Sequence, residues 1–152
     1  MDKGLTIDGL IISGLKQIRD ERGAVFHYLR STDPSFKGFG EAYYSKINEG
    51  VIKGWKLHRS VYQNFCVPYG AIKLVIYDNR AGSVSEGCID EIILNDDLNY
   101  SLLSMPPGLW YSFKCVSKNF ALLANIIDQT HFYGESENLP LDTSLIKYDW
   151  SK

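Results

Sequence analysis

Apolar and polar residues alternate along most of the chain from Val25 onward, the two-residue period of strands with one buried face. Over residues 71–78, Ile72, Leu74 and Ile76 fall on one face and Lys73, Val75 and Tyr77 on the other. Residues 109–116 repeat the pattern, with Leu109, Tyr111, Phe113 and Cys115 opposite Trp110, Ser112, Lys114 and Val116. Residues 120–128 are apolar on both faces, which predicts a strand covered on both sides, and residues 89–94 and 100–105 predict two shorter strands.

Turn-forming clusters separate these runs: Pro68-Tyr69-Gly70, the stretch from Asp78 to Gly82, Asn95-Asp96-Asp97 and Pro106-Pro107-Gly108. No segment of ten or more residues carries a helical period; the best helical candidate is a turn or two within residues 36–42. A parallel sheet would need crossover helices, so short strands joined by turns predict an all-β sandwich or barrel. No repeat, low-complexity tract or linker divides the sequence, and a single domain over residues 1–152 is expected. The polar tail, residues 135–152, is expected to lie across the outside of the barrel.

Composition narrows the function classes. The net charge is −2 and the basic residues form no stripe, which argues against nucleic acid as a partner. Cys66, Cys88 and Cys115 have no CxxC spacing; as an odd set, with Cys66 and Cys115 in apolar runs, they suit small buried hydrophobes in a reducing compartment. Near the start, Asp2 and Asp8 break the signal-peptide pattern around Leu10, Ile11 and Ile12, and no apolar run is long enough to span a membrane. A soluble, cytoplasmic protein is expected, with no membrane partner.

Five segments, in order, resemble the deoxysugar-biosynthesis cupins, namely dTDP-4-dehydrorhamnose 3,5-epimerase and the shorter dTDP-4-keto-hexose 3,4-ketoisomerases. They are Asp20-Glu21-Arg22-Gly23, SKINEGVIKGW over residues 45–55, YDNRAGS over residues 77–83, MPPGLWYSF over residues 105–113, and Asp149-Trp150. The resemblance implies a cupin jelly-roll barrel, usually a homodimer. It also implies a cofactor-independent isomerase or epimerase of a nucleotide-linked 4-keto-6-deoxysugar, with a dTDP- or UDP-type nucleotide. Such a reaction removes a proton beside the ketone, stabilises the enediolate and returns a proton, with no redox cofactor.

The resemblance also assigns residues. His58 matches the second histidine of the ketoisomerases' R-G-x-H-x-H and is the candidate base, its ordinary pKa lying near neutrality. Lys56 stands at the first of those histidines, the position of the epimerases' base. Two residues apart on a strand, Lys56 and His58 share a face; Lys56 would steady the enediolate or act as base itself. Tyr44, nine residues before Lys53, is the candidate acid. Arg22 and Lys53 match cations that hold the diphosphate, Tyr111 matches a substrate-contacting histidine, and Gln63 and Asn64 are candidate cavity residues. The epimerases' tyrosine falls near Ile126 and their lysine near Gln63, so this chain is closer to the ketoisomerase type. The aspartate that supports the epimerases' histidine lies past the Asp149-Trp150 element.

Two further readings stay open: a catalytically degenerate cupin that still binds a sugar nucleotide, and a metal-dependent cupin enzyme. Cupins that bind metal generally do so through two histidines one residue apart. Here His27, His58 and His131 are isolated in sequence and Lys56 fills the first place of such a pair, so no metal site is expected.

Overall fold

The computed structural model describes residues 4–151; Asp2, part of the N-terminal reading above, lies outside them. Twelve strands and no helix are found among the described residues, so no helix is long and apolar enough to cross a membrane. The helical turn expected within residues 36–42 is absent: the segment is irregular up to Gly40, and β4 begins at Glu41.

The strands are β1 (Ile11–Gly14), β2 (Gln17–Asp20), β3 (Gly23–Phe26), β4 (Glu41–Asn48), β5 (Ile52–His58), β6 (Gln63–Tyr69), β7 (Ala71–Asp78), β8 (Ile89–Asn95), β9 (Ser101–Met105), β10 (Leu109–Cys115), β11 (Phe120–Ile127) and β12 (Ser136–Asn138). They form two five-stranded sheets, ordered β1-β9-β6-β11-β4 and β12-β5-β10-β7-β8, and β2 and β3 form a separate hairpin. All pairings are antiparallel. The two sheets face one another across the core as a jelly-roll barrel.

The inward positions are those the alternation marks. Ile72, Leu74 and Ile76 of β7 meet Leu109, Tyr111, Phe113 and Cys115 of β10 in the core, with Phe65, Val67, Leu103, Met105 and Leu123 from the opposite sheet. Each fully buried side chain of this size contributes about 1.5–3 kcal/mol.

The outer face of β5, β7 and β10 is also apolar, and the tail covers it. Trp55, Val75, Trp110 and Ile146 are buried together, with Tyr148 and Trp150 packed against them. Cys66 and Cys115 are buried free thiols, as their apolar settings imply, and burial pushes the Cys66 thiol up to about 11.

Candidate functional site

β5 carries the site, and a bulge sets which of its residues face inward. Lys53 and Gly54 pair with Phe113 and Ser112, whereas Lys56 and Leu57 pair with Tyr111 and Trp110, so Trp55 is the extra residue. Gly54 adopts φ +121°, and a Cβ there would lie 2.8 Å from the Ser112 Cα and the Tyr111 carbonyl oxygen; only glycine fits. The bulge turns Trp55 and Leu57 to the tail side. Lys56 and His58 are thereby left on the interior face, where Lys56 pairs with inward-facing Tyr111.

His58 is 1 % exposed, and its Nδ1 lies 2.7 Å from the Glu135 Oε2. Glu135 is fixed in turn: its Oε1 accepts the backbone N–H groups of Ser60 at 3.4 Å and Val61 at 3.2 Å. Burial lowers the His58 pKa, Lys56 and His131 lower it further, and together they outweigh the pull of Glu135 toward the charged form. Burial alone would raise the Glu135 carboxyl, but the His58 contact and the two N–H donors bring it below its ordinary value. The resting pair is therefore neutral imidazole and carboxylate. Nδ1–H donates to Glu135, and the Nε2 lone pair is left for chemistry.

Around Nε2 stand aromatic and polar groups from both sheets. The Tyr111 hydroxyl is 3.4 Å away, a loose contact, and burial pushes its phenol far above the usual tyrosine value, so it keeps its proton. The His131 ring lies 5.4 Å from that of His58 and 5.8 Å from that of Tyr43. Across the barrel Asn125 Nδ2 donates to the Tyr43 hydroxyl and to Gln63 Oε1, both at 3.0 Å, while Asn125 Oδ1 is buried with no hydrogen-bond partner. One ligand atom from each of His58, His131 and Glu135 falls within 4.8 Å of the others.

The structure brings His58, Lys56 and Tyr111 to the interior face of one sheet and Gln63 to that of the opposite sheet. It does not bring the other expected residues there. Tyr44 is 68 % exposed on the outer face of β4, because strand parity aims its neighbour Tyr43 inward. Asn64 also points outward, donating to the Ser35 carbonyl and accepting from the Ser104 hydroxyl, since adjacent residues of β6 cannot share a face. Lys53 donates to the Lys46 carbonyl on β4, nearer the other end of β5 from His58. Arg22 sits exposed in the β2–β3 hairpin, paired with Asp20. That hairpin is tied to the Asp96 carbonyl near Gly70, at the barrel end opposite Gly108, whose N–H binds the His58 carbonyl.

Sequence reasoning missed four residues of the cluster. Tyr43 shares its parity with buried Ile47, and Asn125 is the one polar residue within β11, a signal of a buried polar role. His131 and Glu135 lie in the irregular connection between β11 and β12, where no period marks them.

A solved structure of a dTDP sugar isomerase from Desulfovibrio desulfuricans G20 is 40% identical, covering 95% of this chain and 92% of that one, with a TM-score of 0.93. The chain belongs to the deoxysugar-biosynthesis cupins. No protein-family model matches it. Two relatives of these cupins are similar over most of their length. One is a probable low-salt glycan biosynthesis epimerase, Agl13, of Haloferax volcanii, 29% identical over 136 residues, 87% of this chain and 86% of that protein. The other is the spore coat polysaccharide biosynthesis protein SpsL of Bacillus subtilis, 26% identical over 151 residues, 95% of this chain and 97% of that protein. This barrel carries a lysine and a histidine on β5 and a glutamate behind the histidine.

Proposed function

We propose that this cupin is a cofactor-independent isomerase or epimerase of a nucleotide-linked 4-keto-6-deoxysugar, with His58 as the base. The buried His58–Glu135 pair carries the proposal: it fixes one tautomer and presents an unprotonated Nε2 to the barrel interior. The similarity to a dTDP sugar isomerase and to glycan-pathway proteins supplies the substrate class.

In the proposed reaction Nε2 takes the proton from a carbon next to the C4 ketone. The C–H electrons become the new C=C bond, and the carbonyl π electrons move onto oxygen. Lys56, on the same face, stabilises that enediolate oxygen. Tyr43 is placed in the acid role first given to Tyr44, because its hydroxyl faces the interior and is held by Asn125. Returning a proton to the opposite face gives an epimer, and returning it to the neighbouring carbon after the enediol tautomerises gives a ketoisomer. Asn125 Oδ1 is available to accept a sugar hydroxyl.

The protein is proposed to be a cytoplasmic homodimer that binds a dTDP- or UDP-type sugar. Lys53 is the diphosphate cation on the site's own strand. Arg22, at the far end of its own barrel, meets a diphosphate only across such a dimer. The test is incubation with 4-keto-6-deoxy nucleotide sugars in deuterated water, followed by proton NMR. Loss of the C3 or C5 proton signal with a new sugar spin system supports an isomerase. Nucleotide binding without exchange supports the degenerate sugar-nucleotide-binding cupin instead.

A further inference from the structure

We propose that His58, His131 and Glu135 form a binding site for a divalent transition cation such as Zn2+, and that its occupancy switches off proton transfer at His58. The second half of this rests on the isomerase reading above; the site itself does not.

Two imidazoles and one carboxylate are a donor set that suits Zn2+ and leaves a fourth position open. Here they come from separate parts of the chain, His58 from the end of β5 and His131 and Glu135 from the connection before β12. Their ligand atoms nonetheless fall within 4.8 Å of one another. The set is unlike a histidine pair one residue apart on a strand, because Lys56 fills the first place of that pair.

The distances fit a tetrahedral ion once His131 shifts toward His58 and Glu135. With metal–ligand bonds of about 2.0–2.1 Å, a tetrahedral ion holds neighbouring ligand atoms about 3.3–3.4 Å apart. His58 Nδ1 and Glu135 Oε2 are 2.7 Å apart, and His131 Nδ1 and the same oxygen are 3.8 Å apart. The first gap must open and the second close, each by about half an ångström, and the third pair, within 4.8 Å, must close by as much as about 1.4 Å. His131 has the freedom to do this, since its side chain is 36% exposed and it lies outside the sheets. Glu135 does not need to move far: its other oxygen already accepts two backbone N–H groups, which orient the carboxylate toward both rings.

The consequence for catalysis follows from imidazole chemistry. A neutral ring has one proton and one lone pair. In the resting pair the proton is on Nδ1, facing Glu135. For Nδ1 to bind a cation the proton must move to Nε2, and the Tyr111 hydroxyl oxygen, 3.4 Å away, can then accept a hydrogen bond from that N–H. No net proton is lost and no redox change occurs. The nitrogen that faced the interior as a base becomes an N–H donor, and the base is gone.

The test uses the full chain freed of metal by a chelator. Co2+ is expected to give the strong visible absorption of a four-coordinate site, Zn2+ to bleach it by displacement, and Zn2+ to raise the melting temperature. His131→Ala, and His131→Gln should the first variant misfold by circular dichroism, are expected to weaken Zn2+ binding at least about tenfold. Zn2+ should also suppress deuterium exchange into the keto-sugar, and chelator should restore it. Absence of a Co2+ spectrum and of a Zn2+-dependent melting shift at about millimolar metal, or unchanged Zn2+ affinity in the His131 variant, overturns the site. Stimulation of exchange by Zn2+ overturns the inhibitory role. Cobalt absorption in a protein that exchanges no keto-sugar establishes the site and removes its inhibitory role together with the isomerase reading.

Discussion

His58 Nδ1 and Glu135 Oε2 lie 2.7 Å apart with neither side chain exposed to solvent, although 77 residues separate them in sequence. The contact closes the end of β5 against β12, whose Ser136 pairs with His58 in the sheet. It therefore serves the fold and the proposed base at once. Glu135→Ala strands the Nδ1–H and the N–H groups of Ser60 and Val61, and each stranded buried donor costs about 1–3 kcal/mol. Chemical denaturation should show the loss. Glu135→Gln should keep more of the stability yet lose about 10²–10⁴ in exchange rate, because a Gln N–H turned toward Nδ1 favours the wrong tautomer.

Lys56 depresses the His58 pKa, as a smaller contributor than burial. Activity that needs neutral His58 should fall as pH drops below the ordinary histidine value, with the acid limb of kcat/KM set by His58. Lys56→Met removes a repelling charge, so the limb should move to higher pH while the rate above it falls through loss of enediolate stabilisation. A pH–rate profile of the two proteins checks both effects.

Tyr43 and Tyr44 offer a direct contrast between faces of one strand. Tyr43→Phe should slow exchange by about 10²–10⁴, whereas Tyr44→Phe, on the outer face, should leave it near the parent. Equal rates for both variants would remove Tyr43 from the acid role.

Stability should also depend on pH in a defined direction. His58 has a folded pKa below its unfolded value near 6.5, so the unfolded chain takes up a proton first as pH falls. Its contribution is complete above that value and declines as pH falls toward the folded pKa. Glu135, whose pKa is also lowered, adds a loss of the same sign below about 4.5. Melting temperatures should fall between pH 7.5 and pH 5.5, about 1 unit either side of the unfolded histidine value, and His58→Asn should flatten that dependence.

The fold was legible because alternation and turn chemistry report a half-buried strand directly: β7 and β10 face inward as Ile72, Leu74, Tyr111 and Phe113 imply. The tail was legible in its last part, since Tyr148 and Trp150 pack on the outer face of the barrel, against Trp55; its start was not, for Glu135 turns inward to His58 and Ser136–Asn138 join the sheet as β12. The site was legible only where it lay on a strand. Lys56 and His58 follow from parity, and Gln63 follows from β6 once Asn64 is given the opposite face. Tyr44 was misassigned because spacing to Lys53 was followed across the turn between β4 and β5, through which strand parity does not carry. Glu135 and His131 sit in a loop with no period, and their approach to His58 is a long-range contact that local sequence does not encode.

In the proposed reaction His58 removes a proton beside the ketone of a nucleotide-linked 4-keto sugar. Deuterium incorporation at C3 or C5, followed by proton NMR for the parent and for His58→Asn at matched nucleotide saturation, tests it most directly. The parent should exchange, and His58→Asn should lose at least about a hundredfold in rate while binding the nucleotide with nearly unchanged affinity. Exchange by His58→Asn at the parental rate would contradict the claim and place the base elsewhere in the barrel.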